Sequence, residues 1–237
     1  MKSAIPISIL SQPDETTCGP TCLHTIYQFY GDEISLETII NEVPKLAEGG
    51  TLGAWLATHA LRRGYKAEIY SYNLNLFDPS WFGHEAFFVK NKLLKQVEVK
   101  PDAKLQEATR AYVEFLDLGG KLNFETLSRS LIRGFLNRNI PILTGLSATY
   151  LYQSKREYGI HCEYDDLRGK PSGHFMVLHG YHKKSKTVSV ADPLQANPLA
   201  QGAQYYEVDI DRVINAILLG IITYDGNMII IQPGTEA

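Results

Sequence analysis

A cysteine placed where a helix must begin constrains this chain more than any other feature. The stretch Gln12-Pro13-Asp14-Glu15-Thr16-Thr17-Cys18-Gly19-Pro20 leads into apolar residues at Leu23, Ile26, Tyr27 and Tyr30. That is the i, i+3, i+4, i+7 spacing of a helix with one buried face. Pro20 suits the first turn, where its missing N–H costs nothing, and Gly31 is a natural stop. A thiol at a helix N-terminus faces the positive end of the macrodipole and unpaired backbone N–H groups. Both favour the thiolate, the reactive form. Upstream, Gln12 carries an amide able to donate to a developing oxyanion.

A nucleophile needs a base, and the base an orienting partner. Of the seven histidines, His24 lies on the Cys18 helix and points away from its start, and His59 and His84 fall in helix-like stretches. His174 differs. It follows Pro171-Ser172-Gly173 and opens the apolar run His174 to Tyr181, which reads as a strand. After the turn Lys183 to Lys186 comes a second strand, Thr187 to Ala191, ended by Asp192-Pro193. A hairpin folded near Lys184 and Ser185 sets His174 beside Asp192 to within about one residue pair, roughly 7 Å. His179 has the opposite side-chain parity, and His182 sits at the wrong end of the hairpin.

These segments in this order, Gln-x5-Cys-Gly-Pro, Gly-His-Phe-Met-Val-Leu-His-Gly-Tyr and Ala-Asp-Pro, resemble the C39-like branch of the papain-like cysteine peptidases. That family includes the leader-cleaving domains of bacteriocin exporters, which cut after a double glycine. The resemblance implies an α+β, papain-like fold, with the cysteine on an N-terminal helical part and His and Asp on a C-terminal antiparallel sheet. It further implies Cys18 as nucleophile, His174 as general base and acid, Asp192 as orienter and Gln12 as oxyanion donor. The implied activity is a cysteine peptidase acting on a peptide or protein substrate, with small residues such as Gly-Gly before the cleaved bond. The transporter and ATPase segments of those exporters are absent. Residues 1–237 read as a single domain, with 72–120 as a helical insertion.

Two other functions use the same residues. Transfer of the acyl group to an amine or thiol makes an acyltransferase or transpeptidase, and an amide substrate makes an amidase. An inactive descendant makes a peptide-binding module. Cys18-x3-Cys22 with His24 has no second cysteine pair to complete a zinc site, so no metal and no cofactor is expected. Cys22 reads as core and Cys162 as a free thiol in a loop.

Three cysteines are too few for a disulfide framework, and a reduced, cytoplasmic setting is expected. A net charge of −3 without a long basic run argues against a nucleic-acid groove. The apolar runs 213–223 and 228–231 are broken by Gly220, Asp225 and Gly226, so neither spans a bilayer. The start of the chain lacks a signal-length apolar core. The oligomeric state is left open.

Helices are expected at 35–43, 51–63, 79–95, 102–118, 124–137 and 209–218, and strands at 67–72, 140–146, 174–182, 187–191, 204–208, 221–224 and 227–232. Between them, 148–172 is a long polar segment whose Tyr150, Tyr152, Tyr158 and Tyr164 are candidates to line a peptide cleft, with Asp165 and Asp166 as candidates to read a basic peptide. Segments of that length are often functional lids.

Overall fold

Capping and periodicity shape the first third of the chain. The first helix, α1 (Cys18–Phe29), buries every residue from Cys18 to Tyr27. A helix covered on nearly all sides is a central one, not a surface one. Its Leu23, Ile26 and Tyr27 are essentially inaccessible, each burial stabilising by about 1.5–3 kcal/mol. Helix α2 (Leu36–Glu42) starts on Ser35, whose side chain accepts the Thr38 N–H, and α3 (Gly53–Arg62) follows. The computed structural model describes residues 4–47, 49–159, 162–200 and 202–234. The first three residues and positions 160 and 161 of the 148–172 segment, on which expectations above touched, lie outside them.

After β1 (Tyr65–Ser71) and a 3-10 turn (Pro79–Trp81) come α4 (Ala86–Val99), α5 (Ala103–Asp117), β2 (Lys121–Asn123) and α6 (Arg129–Asn137). The strand β3 (Ile142–Ser147) runs into α7 (Ala148–Tyr152), then a two-stranded ribbon of β4 (Glu157–Tyr158) and β5 (Glu163–Tyr164). The chain ends with β6 (Gly173–His182), β7 (Thr187–Ala191), β8 (Tyr205–Asp209), α8 (Ile210–Leu219), a 3-10 turn (Gly220–Thr223) and β9 (Asn227–Pro233).

One seven-stranded sheet, in the order β2-β1-β9-β3-β6-β7-β8, carries the fold. It is antiparallel except for β1 and β2, which pair in parallel. Alternate residues feed two cores. Phe175, Val177, Ile229 and Ile231 face the layer of α1 and α3, whereas Met176, Leu178, Met228 and Ile230 pack with residues of α6 and α8. Helices therefore cover both faces, and the architecture is α+β around a mainly antiparallel sheet.

Four elements differ from expectation. The helix expected at 79–95 is a 3-10 turn followed by α4, because Gly83 takes a left-handed φ of 88° between them. The helix expected from Phe124 begins at Arg129, where Ser128 accepts the Leu131 N–H, and 121–123 is a strand. The run 221–224 is a 3-10 turn ending on left-handed Tyr224, so its apolar residues do not signal a strand. The segment 148–172 is not one open loop but α7 and the small ribbon. Among the described residues no helix is long and apolar enough to cross a membrane.

Candidate active site

Thr17 and Cys18 mark the start of α1, and no side chain caps it. As the first helical residue, Cys18 carries one of the N–H groups that a helix leaves without an internal partner. Gly19 is needed for the helix to seat: a Cβ there would lie 2.7 Å from Thr51 Cγ2 and close to Leu56 and Phe175.

The sheet brings the other two groups. Val177 pairs with Ala191, and a bulge between Leu178 and Gly180 shifts the register by one residue relative to a plain hairpin. Extending the pairing places Asp192 across from Met176, one diagonal step from His174 and of the same side-chain parity, a separation that long side chains bridge. His174 Nε2 meets Asp192 Oδ1 at 2.8 Å. With Nε2 occupied, Nδ1 is the nitrogen left to serve Cys18, whose side chain acts on the same imidazole.

Asp192 is inaccessible to solvent, and its carboxylate is saturated with donors. Oδ2 accepts from Tyr152 Oη at 2.7 Å and Tyr206 Oη at 2.6 Å, and Oδ1 also accepts the Leu194 N–H at 2.9 Å. Burial alone would push this carboxyl up. The His174 charge and the bonds from His174, Tyr206 and Tyr152 outweigh it and hold the group below the ordinary value of 3.8. Burial would likewise push His174 down, but the Asp192 carboxylate and Cys18 raise it to about 10. The pair is therefore imidazolium and carboxylate at neutral pH. Burial pushes the Tyr152 and Tyr206 hydroxyls upward, so both remain donors.

Gln12 is anchored to this region through its backbone, its N–H donating to the Pro193 carbonyl at 3.0 Å. Its side chain turns to its own loop: Nε2 donates to the Asp14 carbonyl at 2.9 Å, and Oε1 is buried without a partner. Asp14 braces that loop by accepting the Thr16 N–H at 2.8 Å. The structure thus brings Cys18, His174 and Asp192 together and ties the Gln12 backbone to Pro193, next to Asp192, with the Gln12 amide turned to its own loop.

Cys18 and His174 open onto a cleft of roughly 370 Å³ whose walls include Gly49, Gly50, Gly159 and Gly173. Its charged lining is Glu15, Lys104 and Asp225, and Cys162 also borders it. The other histidines among the described residues serve elsewhere. His24 is buried, His59 bonds Tyr27 and Glu42, His84 packs at a tilt against Phe88, His179 bonds the Ile5 carbonyl, and His182 bonds Ser189. Cys22 is fully buried, and burial raises its thiol. Among the described residues no group of three or more His, Cys, Asp or Glu side chains is placed to hold a metal ion.

The loop residues suggested by sequence divide sharply. Tyr152 meets Asp192 rather than a substrate, Tyr158 lies under the Arg168 guanidinium at 4.3 Å, and Tyr150 borders a separate groove with Leu219 and Ile222. Asp165 accepts the Leu167 and Arg168 N–H groups and so holds its own turn. Sequence reasoning missed the donation from Tyr152 and all of Tyr206, Asp225 and Thr223. Nothing in the local pattern marks them, because each is brought in by strand pairing or by a turn.

The sequence profile of the Peptidase_C39 like family matches residues 4–215. No curated protein matches the chain. Among solved structures, a Bacillus anthracis protein described as a C39-like peptidase is 13% identical, with a TM-score of 0.52 over 97% of this chain and 98% of that one. A double glycine motif protease from an AMS/PCAT transporter, in complex with the leader peptide, is 12% identical, with a TM-score of 0.47 over 98% and 95%. The peptidase domain of Streptococcus ComA, a bi-functional ABC transporter involved in a quorum sensing pathway, is 12% identical, with a TM-score of 0.44 over 95% and 97%. The first of these shares the fold, and with the profile spanning most of its length this chain belongs to the Peptidase_C39 like family.

Proposed function

We propose that this chain is a cysteine peptidase that hydrolyses a peptide bond following small residues, with Cys18, His174 and Asp192 as its triad. The observation that carries the reading is the convergence on one cleft of a thiol at a helix start and an imidazole held by a buried carboxylate. The glycine-lined walls favour small residues, because they let a substrate backbone approach closely.

His174 already carries its proton at neutral pH, so Cys18 ionises by releasing its proton to solvent, and the thiolate pairs with the imidazolium that Asp192 stabilises through Nε2. Sulfur attacks the carbonyl carbon, and the oxyanion accepts from the Cys18 N–H and the Gln12 amide. His174 returns its proton to the leaving amine as the C–N bond breaks, leaving a thioester acyl-enzyme. Water then attacks the thioester as neutral His174 takes its proton, the C–S bond breaks, and the acid leaves with the thiolate and imidazolium restored. Acylation needs the imidazolium, so turnover falls as pH rises through about 10. On the same reading the domain is single, and 72–120, which lays α5 against α3 and α4 against α5, is an addition to it.

The test is the rate of iodoacetamide alkylation against pH, with the label located by peptide mass. The expected result is selective labelling of Cys18 well below the reference thiol value of about 8.5, abolished in His174→Ala. Equal, slow labelling of Cys18 and Cys162 that rises only near that value overturns the reading. Once a substrate is found, Gln12→Ala is expected to lower the rate by on the order of 10²–10³.

A further inference from the structure

The peptidase reading employs one of two buried carboxyls beside His174 and leaves the other, Asp225, without a role. Asp225 lies in the turn before β9, is 7% exposed, and lines the same cleft as Cys18 and His174. The backbone is specialised to hold it. Tyr224 before it takes a left-handed φ of 67° and Gly226 after it one of 69°, a conformation disfavoured for a bulky residue such as tyrosine. Gly173, the residue before His174, has no room for a Cβ, which would overlap the Asp225 carboxylate. Among the described residues Thr223 Oγ1 is its single side-chain donor, at 3.0 Å. A buried carboxylate ordinarily has more partners.

The surrounding charge points one way. Among the described residues the cleft is lined by Glu15 and Asp225 on the acidic side and by Lys104 and His174 on the basic side, and Glu157 faces the bordering Cys162. The Cys18 and His174 pair is neutral as a whole when ionised, so the cleft favours a cation.

We propose that Asp225 is a specificity-determining residue whose carboxylate receives an ammonium group of the substrate inside the cleft, carried either by a free peptide N-terminus or by a lysine side chain. This inference rests on the peptidase reading and names what the cleft selects. The ammonium supplies the donors that the carboxylate lacks. The groups facing Asp225 are Thr223 on its own turn, Lys104 and Tyr112 on α5, and His174 on β6. Burial pushes the Asp225 carboxyl up to about 7 against the Thr223 bond and the Lys104 and His174 charges. Burial also drives Tyr112 upward, and His174 stands at about 10, so neither changes charge near neutrality. Ionisation of Asp225 as pH rises through about 7 strengthens ammonium binding.

Protection of Cys18 from iodoacetamide tests this without requiring turnover. The probes are glycylglycinamide and Nα-acetyl-lysinamide, each against its fully acetylated counterpart, on the full chain and on Asp225→Asn. An ammonium probe is expected to protect at concentrations lower by on the order of tenfold than its acetylated partner. The advantage is expected to shrink as pH falls through about 7 and to vanish in Asp225→Asn. Glycylglycinamide carrying the advantage assigns the N-terminus, and the lysine probe assigns the side chain. Equal protection within both pairs overturns the proposal, as does an advantage that survives in Asp225→Asn. If that variant does not fold, the wild-type pH dependence decides, and a pH-independent advantage overturns the proposal. Slow, unselective labelling of Cys18 overturns the peptidase reading instead, with the protection ratios still read from the slower rates.

Discussion

Asp192 and Asp225 flank the same histidine, and both are withdrawn from solvent, yet they hold opposite relations to the proton. Asp192 accepts from His174, Tyr152, Tyr206 and the Leu194 N–H and is held below the ordinary carboxylate value. Asp225 accepts from Thr223 and is pushed up to about 7. Burial acts on both in the same direction, so the difference is made by donors and neighbouring charge. A buried carboxylate with a full set of donors is a fixed charge that orients its neighbour. One left short of donors can still exchange its proton and take a new partner.

Removing the fixed charge breaks the comparison most severely. In Asp192→Asn the imidazolium loses its counter-charge, and an amide group is set against two hydroxyls that now donate. The expected loss of turnover is on the order of 10²–10⁴, the range associated with a mis-set triad histidine. The same variant should bring His174 back down from about 10, read by NMR titration of its ring protons. An unmoved titration would show that Asp192 is not what raises the histidine.

Thinning the donors around Asp192 gives a smaller effect. Tyr152→Phe or Tyr206→Phe removes one hydrogen bond to a charged group, worth about 1.5–3 kcal/mol. A folded pKa held below 3.8 gives stability that is present above the unfolded value and lost as pH falls through the folded one. Losing a tyrosine raises the folded value, so acid unfolding should begin at higher pH in each variant. The double variant should exceed the sum, because both hydroxyls reach the same oxygen and either one alone still satisfies it in part. Circular dichroism during acid titration reads this directly, and an unchanged acid midpoint would show that the tyrosines only pack.

The same contrast separates what was legible in the sequence from what was not. Cys18 announces itself through a local pattern, and His174 with Asp192 through hairpin arithmetic, because short-range periodicity governs helix starts and strand parity. That arithmetic lacked the bulge at Leu178 to Gly180, which sets the final register. Tyr206 reaches Asp192 because β8 pairs beside β7, a choice of neighbour that no local pattern encodes. Tyr152 was visible as one of several loop tyrosines, but only the short helix α7 turns it inward. Asp225 read as a charge interrupting an apolar run, which is true and says nothing of the cleft. The β-branched Ile221, Ile222 and Thr223 before it favour a strand, and the left-handed Tyr224 overrides that preference.

The last effect, comparable in size to the loss of one tyrosine, concerns Asp225 and stability. Its folded value of about 7 lies above the unfolded 3.8, so the folded state holds the proton more tightly. The stability this gives is present below the unfolded value and is lost as pH rises through about 7. Asparagine has no proton to lose, and Asp225→Asn is therefore expected to gain on the wild type as pH rises from about 5 to about 8. The relative gain is on the order of 2–3 kcal/mol, from about two units of pH over which the two proteins bind protons differently. Denaturant unfolding of both proteins at the two pH values checks it. The reverse order, with the variant losing ground as pH rises, would place Asp225 in an ion pair with Lys104 and remove the distinction from Asp192. Lys104→Met then separates the cases, because it deepens the alkaline loss if Lys104 only moderates the field at Asp225 and reverses the variant's behaviour if the two are paired.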